Sequence, residues 1–466
     1  MTRFPLRPGV AMLGRAAAGL SVALLAGCAS LSPDGGLDDV SRLTSERVGQ
    51  PASFRQDAAD GKTAGADRDS QLQTLLAQPL SADAAVRVAL LNSPALKSAL
   101  AELGVSEAEM VQAGRMRNPS LSFGRIHGGG ESEIDRGVMF DLAGLLTLPM
   151  RSRIEQGRFE QAKLRAAGQA VQLAADTRRA YFTAVAAAQS AQFAEQVRGA
   201  AEASAELAER MSKVGNWSKL DQARERAFYA DAVTQLARAR HEALSSREQL
   251  LRLLGLREQG FSLPERLPEL PAAPREIRQA EAQALEQRLD VLAARRDTEA
   301  TASALGLNRA TRFVNVLDAG YVNKSSSGAP RENGYEVSLE LPLFDWGGAR
   351  VARAEAQYMQ AVHRTADVAL RARSEVREAY SGYRSAYDIA RHYRDEVVPL
   401  RRKISDEVLL RYNGMLASVF ELLADSREQL ASVNGAIESQ RDFWIAETRL
   451  QSALNGAGNN EARTNP

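Results

Sequence analysis

The chain has 466 residues, 44% of them hydrophobic and 25% charged, an ordinary mix for a folded protein with a sizeable core. Lys and Arg number 59 against 58 Asp and Glu, so the net charge of +1 excludes a global electrostatic pull toward nucleic acid. A single cysteine excludes an intrachain disulfide, and an aromatic content of 6% favours long helices over a sandwich.

The first element is a targeting segment. Arg3, Arg7 and Arg15 form a basic region, and residues 16–26 form an apolar stretch too short to cross a membrane. Met12 is an alternative start, since Arg15 still supplies a positive flank. Leu25-Ala26-Gly27-Cys28 then resembles the bacterial lipoprotein cleavage box. This predicts a signal peptide over 1–27, lipidation of Cys28, and a loosely ordered lipidated tether over 28–80, rich in Ser, Asp, Gly and Gln. Residue 29 is Ala rather than Asp, which in lipoproteins of this kind implies sorting to the outer membrane. No run of ~20 apolar residues occurs elsewhere, so any crossing by the mature chain must use strands closed into a barrel.

From Ser81 the chain states one plan twice. The first copy, 81–262, opens with helical spacing at Ala85, Val88, Ala89, Ala95 and Ala99, interrupted by Pro94. Strand-like runs at 119–123 and 138–149 predict a hairpin over about 119–149, followed by a helical hairpin over 151–255. The second copy, 263–456, begins with a linker marked by Pro264, Pro268, Pro271 and Pro274. Runs at 313–322 and 335–342 predict a second hairpin over about 312–343, then a helical hairpin over 347–455 and a flexible tail over 457–466. Tyr181 and Tyr380 lie 199 residues apart, and so do Gly215 and Gly414. Glu336, Ser338 and Glu340 alternate with Tyr335, Val337, Leu339 and Leu341, which suits a strand with lipid on one side and water on the other. Ala369, Ala372, Val376, Ala379, Tyr383, Tyr387 and Ala390 give coiled-coil-like spacing, and a ~60-residue helix is a rod of ~90 Å. Two strand hairpins are too few for one chain to close a pore, since bacterial single-chain barrels start at ~8 strands.

Catalytic signals are absent from the sequence. His127, His241, His363 and His392 have no zinc spacing, and His241-Glu242 lacks the second histidine of a metalloprotease helix. The expectation is no enzyme, no cofactor and no metal site. The helical turns carry more information. Gly215 and Gly414 fit left-handed helix-terminating positions. Each is followed by a capping signature, Ser218-Lys219-Leu220-Asp221 and Ser418-Val419-Phe420-Glu421. The acids have a capping role on that ground alone. Gathered at the end of a multi-chain bundle, Asp221 and Glu421, with Asp425 one turn on, would also form a cation-attracting ring.

Ala85–Leu90 with Asn92-Ser93-Pro94-Ala95-Leu96, then Asn118-Pro119-Ser120-Leu121, then Leu341-Pro342-Leu343-Phe344-Asp345-Trp346-Gly347-Gly348, together with the paired tip turns, resemble the TolC-type outer-membrane efflux protein family over the chain from about Ser81. The resemblance implies a mainly α fold with a transmembrane β-barrel part. It implies a homotrimer with four strands per chain in a shared twelve-stranded barrel, a long periplasmic helical tunnel, and an equatorial region built by 260–310 and both chain ends. It also implies a periplasmic adaptor, an inner-membrane transporter and outer-membrane lipid as partners, and no nucleic acid. The family's tip acids match Asp221 and Glu421. The interval from Gly414 to Ser418 is one residue longer than that from Gly215 to Ser218, Ala424 stands where some relatives have an acid, and Arg411 is the nearest basic substitute for a tip partner.

The resulting expectation is a passive export duct, lipid-anchored in the outer membrane with a periplasmic extension. Metal ions and organic toxicants both fit as cargo. The other reading is an anchored coiled-coil rod, structural or adhesive, which needs no alternating strands. Replacing Cys28 with Ser is expected to abolish incorporation of labelled palmitate, measured by metabolic lipid labelling.

Overall fold

The computed structural model describes residues 30–54, 63–128, 131–257 and 260–456. Cys28, the leader over 1–27 and the tail over 457–466 lie outside the described residues. The chain divides into two compact units, one of 1–36, 101–163 and 293–366, the other of 37–100, 164–292 and 367–466.

The first unit centres on four antiparallel strands in chain order: β1 (Ser120–Gly128), β2 (Glu131–Asp141), β3 (Leu317–Ser326) and β4 (Glu332–Leu339). Side chains alternate between faces along each strand, so register decides what each face carries. Leu121 lies opposite Val138, Val138 opposite Tyr321, and Tyr321 opposite Tyr335. On the other face, Asp135 lies opposite Lys324 and Lys324 opposite Glu332. The first face is apolar, with the Tyr321 and Tyr335 rings edge to face at 6.2 Å. The second carries every carboxylate of the four strands, and there Lys324 Nζ sits 3.9 Å from Glu133. Tyr335 is 90% and Leu121 80% exposed, so the single chain leaves its apolar face uncovered. Where the chain leaves the sheet, Phe313, Phe344 and Trp346 are exposed, with the Phe313 and Trp346 rings edge to face at 6.4 Å.

Both hairpins exist, but they are shorter than the sequence pattern indicates. The first strand pair ends at Asp141, and residues 142–149 begin the helix α5 (Leu142–Lys213). Asp141 Oδ1 accepts from the Gly144 amide at 2.5 Å and caps the helix. Leu142, Leu145, Leu146 and Pro149 therefore repeat at helical spacing. Pro149 is carried inside the helix rather than ending it. The second hairpin starts at Leu317, not near 312.

In the second unit the duplication becomes a pair of matching clasps. α3 (Ala82–Asn92) and α4 (Pro94–Ala113) meet at Ser93, and α7 (Ala280–Gln287) and α8 (Leu289–Ala310) meet at Arg288. Each junction caps the long helix that returns from the far turn. Asn92 Nδ2 donates to the carbonyls of Leu254 (3.3 Å) and Gly255 (2.8 Å), at the end of α6 (Lys219–Leu254). Arg288 Nη1 donates to Ala453 O at 2.9 Å, near the end of α11 (Val419–Asn455). These bonds satisfy carbonyls that a helix C-terminus leaves open. Arg288 is 1% exposed, and Asp290 and Glu375, each 2.7 Å from Nη2, balance its charge. Burial alone would lower the Arg288 pKa, but the two carboxylates raise it instead.

Two apolar cores lie beside these clasps. Leu80, Val88, Tyr181, Phe182, Val185 and Leu250 form one, and Val376, Tyr383, Tyr387, Phe443 and Leu450 form the other. Burial in the first pushes the Tyr181 hydroxyl up to about 12. Trp444 packs against both, stacking on Phe182 at 5.3 Å and meeting Phe443 at 5.1 Å. The proline-marked linker is pinned along its length. Trp444 Nε1 donates to Pro268 O, Tyr387 Oη to Pro271 O and Ala272 O, and the Arg275 amide to Tyr383 Oη. Past Pro94 the buried stripe is Leu96, Leu100 and Leu103, not Ala95 and Ala99.

Residues 28–80 are not a loose tether where they are described. α1 (Leu37–Val48) buries Val40, Thr44 and Val48, spaced one turn apart, and Arg47 Nη2 donates to Gln287 O at 3.0 Å. A second helix, α2, spans Thr63–Leu76. Low overall hydropathy concealed a narrow but sufficient apolar stripe.

The second long helix is also interrupted. α9 (Gly348–His392) passes through a π-helical turn at Tyr393–Val397 before α10 (Val398–Asn413). A π turn absorbs one extra residue while keeping the later helical turns on their original face. The repeat spacing changes across it, from 199 at Tyr181 and Tyr380 to 200 at Ser218 and Ser418. Pro399 lies just beyond; it has no amide for an α-helical bond to residue 395, where its ring would crowd. The Tyr393 ring lies where a Cβ on Gly435 would be 2.8 Å from it, so only glycine leaves that space.

Replacing Arg288 with Met is expected to cost about 3 kcal/mol, because Asp290 and Glu375 lose their buried partner. Replacing Asn92 with Ala is expected to cost about 1 kcal/mol for neutral bonds. Denaturant unfolding of the two variants measures the difference.

Candidate functional site

The candidate site is the pair of turns joining α5 to α6 and α10 to α11. In the first, Gly215 adopts φ +79°, its amide donating to Ser212 O and the Asn216 amide to Met211 O. In the second the same two bonds run from Met415 to Tyr412 O and from Leu416 to Arg411 O, and Met415 has φ +61°. Gly414 has φ −81°, so it is not the left-handed residue of its turn. This corrects the expected equivalence of Gly215 and Gly414. The π turn upstream moves the second repeat on by one, and the left-handed position falls on Met415.

Beyond each turn a serine caps the next helix. Ser218 Oγ accepts from the Asp221 amide at 3.1 Å, and Ser418 Oγ from the Glu421 amide at 3.2 Å. The Ser218 hydroxyl also donates to Asp221 Oδ2 at 2.5 Å. Asp221 pairs with Arg224 at 3.4 Å, while Glu421 is exposed. Arg411 pairs with Glu407 at 3.1 Å on its own helix, not with an acid across the turn. In the last turn of α5, Lys213 beside Glu209 holds that carboxyl below its usual range. Val214, Leu220, Leu410, Met415 and Leu416 are all exposed, so the turns present an apolar surface between charged groups.

Asp425 is 9% exposed, and its Oδ2 has no hydrogen-bond partner among the described residues. Its counterpart, 200 residues earlier, is Glu225, which the sequence reading missed. Glu225 is 3% exposed, accepts from Ser204 Oγ at 2.7 Å, and pairs with Arg427 Nη2 at 2.8 Å. The Arg427 guanidinium also lies over the Phe228 ring at 4.3 Å. This pair ties the two helical hairpins together through a charge that burial makes costly to leave alone. Both acids come four residues after their tip acid, a signal hidden while the repeat was aligned at 199. No cluster of potential metal ligands occurs among the described residues. No helix among them is long and apolar enough to cross a membrane.

The model of the outer membrane efflux protein family matches residues 281–456. The solved structure of CusC, described in terms of folding and transmembrane channel formation, superposes with a TM-score of 0.68 at 19% identity, covering 83% of this chain and 92% of that one. This is the fold of the TolC-type outer-membrane efflux channels. The outer membrane protein VceC of Vibrio cholerae gives 0.65 at 18% identity, over 83% and 96% of the two chains. The open-state MtrE outer membrane channel of Neisseria gonorrhoeae gives 0.66 at 17%, over 83% and 89%. A comparison with curated protein sequences gives no match. The efflux-family resemblance read from the sequence agrees with the family model over residues 281–456 and with the fold of these outer-membrane channel structures.

A left-handed backbone costs a side chain bearing a Cβ about 1 kcal/mol relative to glycine. Met415→Gly is therefore expected to slow local amide exchange at Gly414–Leu416 about fivefold, and Gly215→Ala to speed it at the first turn by a similar factor, as read by hydrogen exchange.

Proposed function

We propose that three copies of the chain form an outer-membrane export duct, closing their sheets into one barrel and their helices into a periplasmic tunnel. The observation that carries this reading is the sheet. Its four strands have one apolar and one carboxylate-bearing face, and β1 and β4 are edges without strand partners among the described residues. Lipid does not satisfy the backbone groups of an open edge, so a spanning sheet of this kind must be completed by other copies. The apolar face then meets lipid and the carboxylates line water. Lipidation of Cys28 anchors the mature chain to the same membrane. A periplasmic adaptor, docking on the apolar tips around Met415 and Leu416, links the duct to an inner-membrane transporter that selects the cargo. Asp221 and Glu421 stand at the free end, and three copies of each form a ring that attracts cations.

The test is single-channel recording of purified trimers in planar bilayers. The expected result is a stable conductance that prefers cations, with Asp221→Asn and Glu421→Gln together weakening block by multivalent cations. Well-formed trimers that do not conduct would remove the duct reading.

A further inference from the structure

The apolar face of the sheet does not stay apolar along its length. α4, α5, α8 and α9 adjoin the strands at one end of the sheet, and the Gly128–Glu131 and Lys324–Glu332 pairs lie at the other. Toward the hairpin end the same face passes from Leu121, Val138 and Tyr335 to exposed Arg125 and Arg136, with Phe123 opposite Arg136 and Ile134 opposite Arg125 at the border. Arg136 Nη1 donates to Asn323 Oδ1 at 3.4 Å, and Asn323 Nδ2 to Asn333 Oδ1 at 2.6 Å, a polar ladder across three strands. No strand carboxylate shares this face. Such segregation is not required for solubility, which mixed charges serve as well.

Depth sets the next step. An arginine facing the middle of a bilayer is costly, whereas one at the interface costs almost nothing. Arg125 and Arg136 therefore mark the headgroup level of the leaflet farther from the helices. Paired backbone from Asn333, level with Arg136 across the sheet, to Glu340 has about eight residues, which at ~3.3 Å rise and ~40° tilt gives ~20 Å, near the ~25 Å of a barrel's apolar band. Two guanidiniums without a competing acid, directly above a greasy surface, match an anionic phosphate carried on acyl chains.

We propose that this rim binds the phosphate groups of an anionic lipid of the outer leaflet, with Arg125 and Arg136 on the headgroup and Leu121, Phe123 and Tyr335 under its chains. The Asn323–Asn333 ladder holds Arg136 in place. The proposal rests on the reading of the sheet as membrane-spanning. A lipid is favoured over a free phosphate because the charges sit at the border of the apolar face.

The experiment places purified trimers in mixed vesicles of diphosphorylated lipid A and phosphatidylcholine, and counts retained lipids by native mass spectrometry. The wild type is expected to retain lipid A preferentially, and the Arg125→Gln/Arg136→Gln variant to lose about 25-fold of that preference at unchanged conductance, about fivefold per arginine. Glu133→Gln/Asp135→Asn, on the opposite face, should keep it. A wild type without preference, a double variant that retains it, or complete displacement by millimolar inorganic phosphate would overturn the proposal. Conducting trimers without lipid preference sink this inference alone, while a protein that does not insert into vesicles sinks the membrane reading beneath it.

Discussion

A β-sheet placed in lipid has no tolerance for unpaired backbone at its edges, and the rest of this molecule depends on that constraint. A soluble protein can leave an edge strand to water, or blunt it with charge. Here β1 and β4 are edges, and the face between them is apolar enough to belong in a membrane. Four strands cannot curl on themselves around a lumen, which is why the proposed duct calls for further copies of the chain. The long helices obey the same logic, since α5 and α9 emerge from the ends of β2 and β4 and are bound to accompany whatever the strands form.

Duplication supplies the second organising rule, and the halves agree most closely where the helices must be anchored. An asparagine amide in one half and an arginine in the other both reach the last carbonyls of a returning helix. The chemistry differs because the surroundings differ. Asn92 answers neutral carbonyls alone, whereas Arg288 must also be balanced by Asp290 and Glu375. Trp444 then joins the two cores, so the halves fold as neighbours in one unit rather than as beads.

Much of this was legible in the sequence. Alternation around Tyr335–Leu341 identified a two-faced strand, and the stripe through Ala372, Val376, Tyr383, Tyr387 and Ala390 named buried residues. Errors came where a local signal was read without its partners. Val138 through Pro149 alternates well enough to pass for one strand, but Asp141 caps a helix in its middle. The stretch after Cys28 reads as a loose tether because the three buried residues of α1 suffice when a firm surface already exists to receive them. The tip was misaligned for a subtler reason. A glycine invites assignment to a left-handed position, and no propensity rule predicts that an upstream π turn will push that position onto a methionine. The same shift hid Glu225 and its tie to Arg427.

The π turn at Tyr393–Val397 has a mechanical side as well. An α-helix resists bending through an unbroken ladder of bonds, and α9 through α10 has a weak rung that α5 lacks at the matching level. The two hairpins thus share a plan, but only the first has an unbroken helix in its descending arm. In the duct proposed above, interrupted and unbroken helices would alternate around the rim.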